Sequence, residues 1–341
     1  MKNDEGETLP GRRNLFLATA VVVALVVPFV AGVLTAPLLQ AQSTAGQATT
    51  AQPPTPQWQV VAGGKMAFDV VSVKQDTADP SLSTVSSNFP LGPGAVYAPN
   101  GGLLSARNFP LFAYIAFAYK VTSYQMQSLR ATLPKWVITD RFDIQARAEG
   151  NPSKDQMRLM MQSLLADRFK MTMHRETRQL PVFALVLDKP GKLGPKLQPH
   201  SADADCTTGP TPPLAPGSEP PPTASLACGG IFGMPSNATG HLHIGARNVT
   251  IGLLADSLTG FANDIDRQVL DRTGLTGAFD FTLEWTPQLN GPLPPGVNFQ
   301  PDPNGPTFQE ALKEQLGLKL ESQTGPVDVI VIDHVEPPSE N

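Results

Sequence analysis

From Phe68 onward the apolar positions fall into short alternating runs and amphipathic stripes, a pattern that predicts an α+β chain. An opening strand is expected over residues 68–74 (FDVVSVK). Phe142, Ile144 and Ala146 alternate with Asp143, Gln145 and Arg147, and Phe279, Phe281, Leu283 and Trp285 alternate with Asp280, Thr282 and Glu284. A period of two predicts half-buried strands with one wet face. Ser153 with Gln156, and Thr307 with Glu310, have the spacing of capping boxes, which mark helix starts. Behind them Met157, Met160, Met161, Leu164 and Leu165 share one helical face, as do Phe308, Ala311, Leu312 and Leu316. Each helix is followed by two apolar runs separated by a proline. These predict two antiparallel hairpins, 170–179 with 181–188 turning at Gln179-Leu180-Pro181, and 318–323 with 327–333 turning at Thr324-Gly325-Pro326.

The same features occur twice in the same order. Ala106-Arg107-Asn108 returns as Ala246-Arg247-Asn248, Phe142-Asp143 as Phe279-Asp280, and Pro181-Val182 as Pro326-Val327. This predicts two pseudo-repeats of strand-helix-strand-helix-strand-strand with antiparallel sheets, over 58–188 and 241–341, joined by a Pro/Gly-rich loop over 189–240.

The N-terminal part reads differently. Residues 15–34 carry no charge and are long enough to span a bilayer, and Arg12 and Arg13 place the tail 1–14 in the cytoplasm. The span is read as a transmembrane anchor or a signal-peptide core, with Leu39-Gln40-Ala41 as a passable cleavage site and a faint twin-arginine character. Residues 42–57 are small, polar and proline-containing, and read as a flexible tether. The folded part is thus expected on the extracytoplasmic (periplasmic) side, where the two cysteines, Cys206 and Cys228, would form a disulfide. Composition narrows the class. A net charge of -5 excludes a basic nucleic-acid binder, and 35 Pro with 29 Gly indicate long irregular connections.

The strings Leu164-Leu165-Ala166-Asp167-Arg168-Phe169-Lys170, His174-Arg175-Glu176-Thr177-Arg178-Gln179-Leu180-Pro181-Val182, Asp271-Arg272-Thr273-Gly274-Leu275-Thr276-Gly277 and the C-terminal 331–341 resemble an uncharacterised soil-bacterial family of exported proteins, highly paralogous in acidobacteria. The resemblance covers nearly all of 68–341. That family carries no established activity, cofactor or catalytic residue. Its domain also occurs attached to membrane zinc peptidases of the antibiotic-sensor type, which implies a sensing or binding role by association. The present chain has no H-E-x-x-H motif, so no peptidase activity is implied.

Candidate chemistry is sparse. His241 and His243 are two apart on a predicted strand, as paired metal ligands would be, and His200, Asp203 or Asp205 could add a third only if the long loop folds back. A solvated strand face is the simpler reading, and no metal is expected. His174 and Arg175, with Glu176 and Arg178, read either as a surface site for an anionic envelope component or as a salt-bridged sheet surface. Asp143 and Asp280 occupy equivalent places, which favours structure over acid/base catalysis. No nucleophile elbow or nucleotide loop is present, so no cofactor is expected. The expectation is a non-catalytic binding or sensing domain of the cell envelope, acting on an unknown ligand or protein and tied to the inner membrane through its N-terminal segment. An assembly module pairing with an envelope protein, and an envelope hydrolase, are the alternatives.

Overall fold

A computed structural model describes residues 54–77, 85–94, 97, 99–201, 206, 223, 226–236, 238–289, 291 and 299–338. The predicted tail 1–14, the apolar span 15–34 and most of the tether lie outside the described residues. So do Asp203 and Asp205. Among the described residues no helix is long and apolar enough to cross a membrane.

The architecture is α+β with antiparallel sheets. In chain order the elements are α1 (Gln57–Ala62), β1 (Val70–Asp76), β2 (Ser86–Ser87), β3 (Leu103–Pro110), α2 (Leu111–Tyr119), α3 (Ser123–Thr132), α4 (Lys135–Thr139), β4 (Arg141–Arg147), α5 (Lys154–Arg168) and β5 (Thr172–Leu187). Then follow β6 (Leu197–Pro199), β7 (Gly230–Gly233), β8 (Leu242–Val249), α6 (Ile251–Ser257), β9 (Val269–Asp271), β10 (Phe279–Trp285), α7 (Phe308–Ala311) and β11 (Leu318–His334). One sheet has the order β1-β4-β3-β2 and another β6-β10-β8-β7. The expected unstructured connection 189–240 therefore supplies β6 and β7, the two edges of the second sheet.

Alternation locates the inner faces as expected. Phe142, Ile144 and Ala146 are buried on β4, and Phe279, Phe281, Leu283 and Trp285 on β10. Both capping boxes form. The helical stripe of α5 seals the first core, where Phe142 meets Phe169 edge-on at 5.3 Å and the Tyr114 hydroxyl donates to the Phe142 carbonyl at 2.9 Å. Phe308, Ala311, Leu312 and Leu316 seal the second, with Trp285 against Phe308 at 5.0 Å.

The two hairpins do not form. β5 and β11 are each one continuous strand, and they pair with one another antiparallel from Leu318↔Leu187 through Gly325↔Leu180 to Val331↔His174. The prolines are accommodated by register. The Phe183 N–H points away from β11, to the Gln268 carbonyl at 2.9 Å. Pro181, two residues earlier, has its nitrogen on that same outer side, and Pro326, opposite Gln179, has the equivalent position. Neither therefore removes a bond from the ladder.

The ribbon has a consequence for packing. β5 leaves the first core at Met173, just after the buried Met171, and enters the second at Phe183 and Leu185, while β11 leaves the second at Leu318 and Leu320 and ends in the first at Ile330 and Ile332. Each half thus completes its core with strand residues from the other.

Two other local features shape the molecule. β3 bulges at Arg107-Asn108 and β8 at Arg247-Asn248, where Asn108 and Asn248 adopt φ of 58° and 54°. Asparagine tolerates this left-handed backbone better than most residues. The turned-out N–H of Asn108 donates to Asp143 Oδ1 at 2.9 Å, and that of Asn248 to Asp280 Oδ1 at 2.8 Å. The two aspartates thus have the structural role expected of them, holding a bulge in place.

Candidate functional site

The bulges turn the chain into α2 and α6, and between these helices lies a cleft of about 830 Å3. Phe109, Phe112 and Met126 line one wall, Val249 and Leu253 the other, and Lys120 and Arg130 stand at its edge. Arg130 lies over the Phe112 ring at 5.1 Å and has no carboxylate within 4 Å among the described residues. Lys120 sits over Trp58 at 4.5 Å and pairs with Asp155 at 2.8 Å.

One end of the cleft is formed by the loop 91–94, and its position is set from beneath. Arg158, fully buried on α5, donates from Nη2 to the carbonyls of Gly92, Pro93 and Gly94 at 3.3, 2.8 and 2.9 Å, while Nη1 pairs with Asp155. The loop then rests on the backbone of Gly229, so closely that any side chain at Gly94 would strike the Gly229 carbonyl. Lys154, also buried, is pushed down to about 7 by burial and by the Arg158 charge beside it. An arginine set between Met157 and Met161 in the apolar stripe was the sequence signal for this anchor, and hydrophobic patterning alone does not reveal it.

The far wall contains a carboxyl. Burial raises Asp256 to about 6, helped by the Asp271 charge and opposed by a bond from Gln268 Nε2 at 3.3 Å. Gln268 in turn accepts from Thr122 Oγ1 at 3.0 Å, so a polar chain Thr122–Gln268–Asp256 ties the two walls together. A carboxyl raised from 3.8 favours the fold while protonated. Its contribution is lost as pH rises from about 4 to 6 and stays lost above that. The full shift would amount to roughly 3 kcal/mol, and partial solvent access reduces it to about 1–2 kcal/mol. Asp256→Asn is therefore expected to raise Tm by about 2–6 °C at pH 7.5 and to leave it unchanged near pH 4, as read by calorimetry at both pH values. An equal shift at both would contradict this assignment.

The residues singled out from sequence lie apart from the cleft and from one another. His174 bridges Asp333 at 2.8 Å and Glu176 at 3.1 Å on the ribbon, and hydrogen bonds to these carboxylates, Asp333 first, raise its pKa. Arg175 turns to the opposite face, reaching the Tyr119 carbonyl at 3.5 Å. His241 faces Asp302 at 3.3 Å and Glu284 at 3.6 Å, whereas His243 bonds the Pro235 carbonyl at 2.8 Å. Their partners diverge, and His200 does not join them: it bonds Asp280 at 2.7 Å, at the other end of β10 from Glu284. Cys206 and Cys228 form the expected disulfide, with Cα atoms 5.6 Å apart. His200 Nε2 and the two sulfurs lie within 4.8 Å of one another, but sulfurs joined to each other offer no thiolate to a metal.

Comparison with known sequences gives one match. The family model described as "Protein of unknown function (DUF3738)" aligns with residues 113–335, about two thirds of the chain. The chain belongs to the DUF3738 family. No curated protein and no solved structure matches it. The DUF3738 match opens inside α2, yet β1 and β3, which precede it, pair with β4 within it. The cleft likewise draws Phe109 and the loop 91–94 from before the match and Val249 and Leu253 from inside it.

Proposed function

We propose that this DUF3738 protein is an exported, non-catalytic binding protein whose cleft between α2 and α6 takes an amphipathic anion of the cell envelope. The observation that carries the reading is an apolar cleft edged by Arg130, a guanidinium with no carboxylate partner among the described residues. A large apolar pocket with few convergent polar groups is the usual form of a small-molecule site. Export rests on the apolar span 15–34, as anchor or cleaved signal, and is consistent with the disulfide.

We further propose that the two halves descend from one duplicated unit. The support is the matched pair of bulges, each an Arg-Asn whose asparagine has positive φ and gives its N–H to an aspartate of the neighbouring strand, and each followed by a helix. Ligand binding is favoured over hydrolysis because Asp143 and Asp280, the carboxylates a hydrolase would call on, sit in separate sheets and each hold a backbone N–H.

The test uses dodecanoate, with dodecanol as the uncharged comparator, titrated into the full chain by calorimetry. Dodecanoate is expected to bind, Arg130→Ala to weaken it about tenfold while sparing dodecanol, and Leu253→Trp, which fills the cleft, to abolish both. Binding that survives Leu253→Trp, or no binding of either compound, would reject the reading.

A further inference from the structure

We propose that Cys206–Cys228 is a redox-active disulfide that exchanges with dithiols, with Cys206 as the leaving sulfur. This goes beyond the cleft reading and does not depend on it.

The bulge of β8 is more elaborate than its fold requires. In the first sheet the equivalent bulge is held by Asp143, with Arg141 donating to the Asn108 carbonyl at 3.4 Å, and among the described residues no histidine or cysteine bonds to it. At the second bulge Asp280 Oδ1 binds both the Asn248 N–H and His200 Nδ1, the latter at 2.7 Å. The His200 side chain is only 8% exposed, so this carboxylate fixes the ring. With the Nδ1 proton directed at Asp280, the lone pair of Nε2 faces Cys206 Sγ at 3.5 Å. Asn248 Nδ2 donates to the same sulfur at 2.9 Å. Asp–His–Cys in this order is the arrangement that activates a thiol, since an adjacent base takes its proton and a third group orients the base.

The two sulfurs are unequal. Among the described residues no side chain hydrogen bonds to Cys228 Sγ, whereas Cys206 Sγ has both His200 and Asn248. Both cysteines keep partial solvent access, so a thiolate can approach Cys228. In the first step the thiolate of an incoming dithiol bonds to Cys228 Sγ as the S–S bond breaks. Cys206 leaves with the electron pair and receives a donated N–H from Asn248, while the proton lost by the incoming thiol, taken up at His200 Nε2, balances its charge. In the second step the dithiol's other sulfur, having lost its proton, bonds to the first, and Cys228 leaves as thiolate. Two electrons have then passed to the protein, and the dithiol has become a disulfide. Stabilising the departing thiolate favours the reduced form and makes the disulfide the more oxidising.

The full chain, equilibrated in glutathione redox buffers without denaturant, tests this by thiol labelling and mass spectrometry. Glutathione, a second molecule of which takes the part of the dithiol's other sulfur, is expected to reduce the native disulfide, and His200→Gln and Asn248→Ala each to lower the reduced-to-oxidised ratio by about tenfold. In the reduced wild-type chain, iodoacetamide at pH 6 is expected to label Cys206 about tenfold faster than Cys228. Reduction that occurs only in denaturant would overturn the proposal. Equal labelling, with both thiols following the ordinary pKa near 8.5, would do the same. The wild-type labelling ratio needs no substitution, so the proposal remains testable even where a variant does not fold.

Discussion

Leu185→Ala is expected to weaken the first core as much as the second, although its side chain touches only the second. Leu185 is fully buried among Val269, Phe281 and Leu318 in that core, and its truncation should lower stability by about 2–5 kcal/mol. In a chain of two independent halves, the loss would stay with the second. Here β5 carries Met173 in one core and Leu185 in the other, and β11 carries Leu318 and Ile330 in the reverse order. Neither core is complete without the ribbon. Tryptophans report separately, because Trp136 packs on the first core and Trp285 is buried in the second. In urea, single-tryptophan versions of Leu185→Ala are expected to show one midpoint, lowered equally at both probes. A shift at Trp285 with Trp136 unchanged would mean that the halves unfold independently. By the same argument residues 54–188 expressed alone should be unfolded, since Ile330 and Ile332 would be missing from their core.

The ribbon also explains why part of the fold was legible and part was not. Strand and helix faces follow from local periodicity, so the buried positions of β4, β10 and α5, and both capping boxes, could be read from the residues themselves. Proline is ambiguous. Leu180-Pro181 and Gly325-Pro326 have the composition of turns, and only pairing with a distant strand decides that their missing N–H groups point outward and cost no ladder bond. Sequence separation hides such a choice, because β5 and β11 meet across more than a hundred residues. The site was hidden for the same reason. Arg130, Asp256 and Gln268 have no local pattern that sets them apart, and they acquire a role only when α2, α3 and α6 are brought together. The histidines that stood out by spacing, His241 and His243, are satisfied individually by Asp302, Glu284 and the Pro235 carbonyl. The cysteine pair was legible as a disulfide, whereas the contact of Cys206 with His200 was not, since it depends on β6 lying beside β10.

Arg158→Met is expected to lower stability by about 3–5 kcal/mol and to release one end of the cleft. Methionine retains much of the side-chain volume and the packing on Phe117, which Arg158 now overlies at 5.3 Å, so the loss isolates the polar contacts. Gly92 and Pro93 are exposed residues whose carbonyls can turn to water, but that of Gly94 is in a buried residue and would lose its donor. Asp155 keeps Lys120 as a partner, so it is not left as an unpaired charge. Removing the guanidinium also removes a repulsion from Lys154, whose pKa should rise from about 7 towards the ordinary lysine range. Arg158→Lys separates charge from geometry: it restores the repulsion, while a single ammonium cannot span three carbonyls, so stability should remain low with Lys154 still depressed. Amide hydrogen exchange provides the local readout. In Arg158→Met, protection is expected to fall at Gly94 and at Gly229, on which the loop rests, while the Phe142 and Ile144 amides in the centre of the first sheet change only as global stability requires. Protection lost uniformly across both sheets would show Arg158 to be a general core residue with no particular hold on the loop. Retained protection at Gly94 would show that Gly229 alone keeps the loop in place.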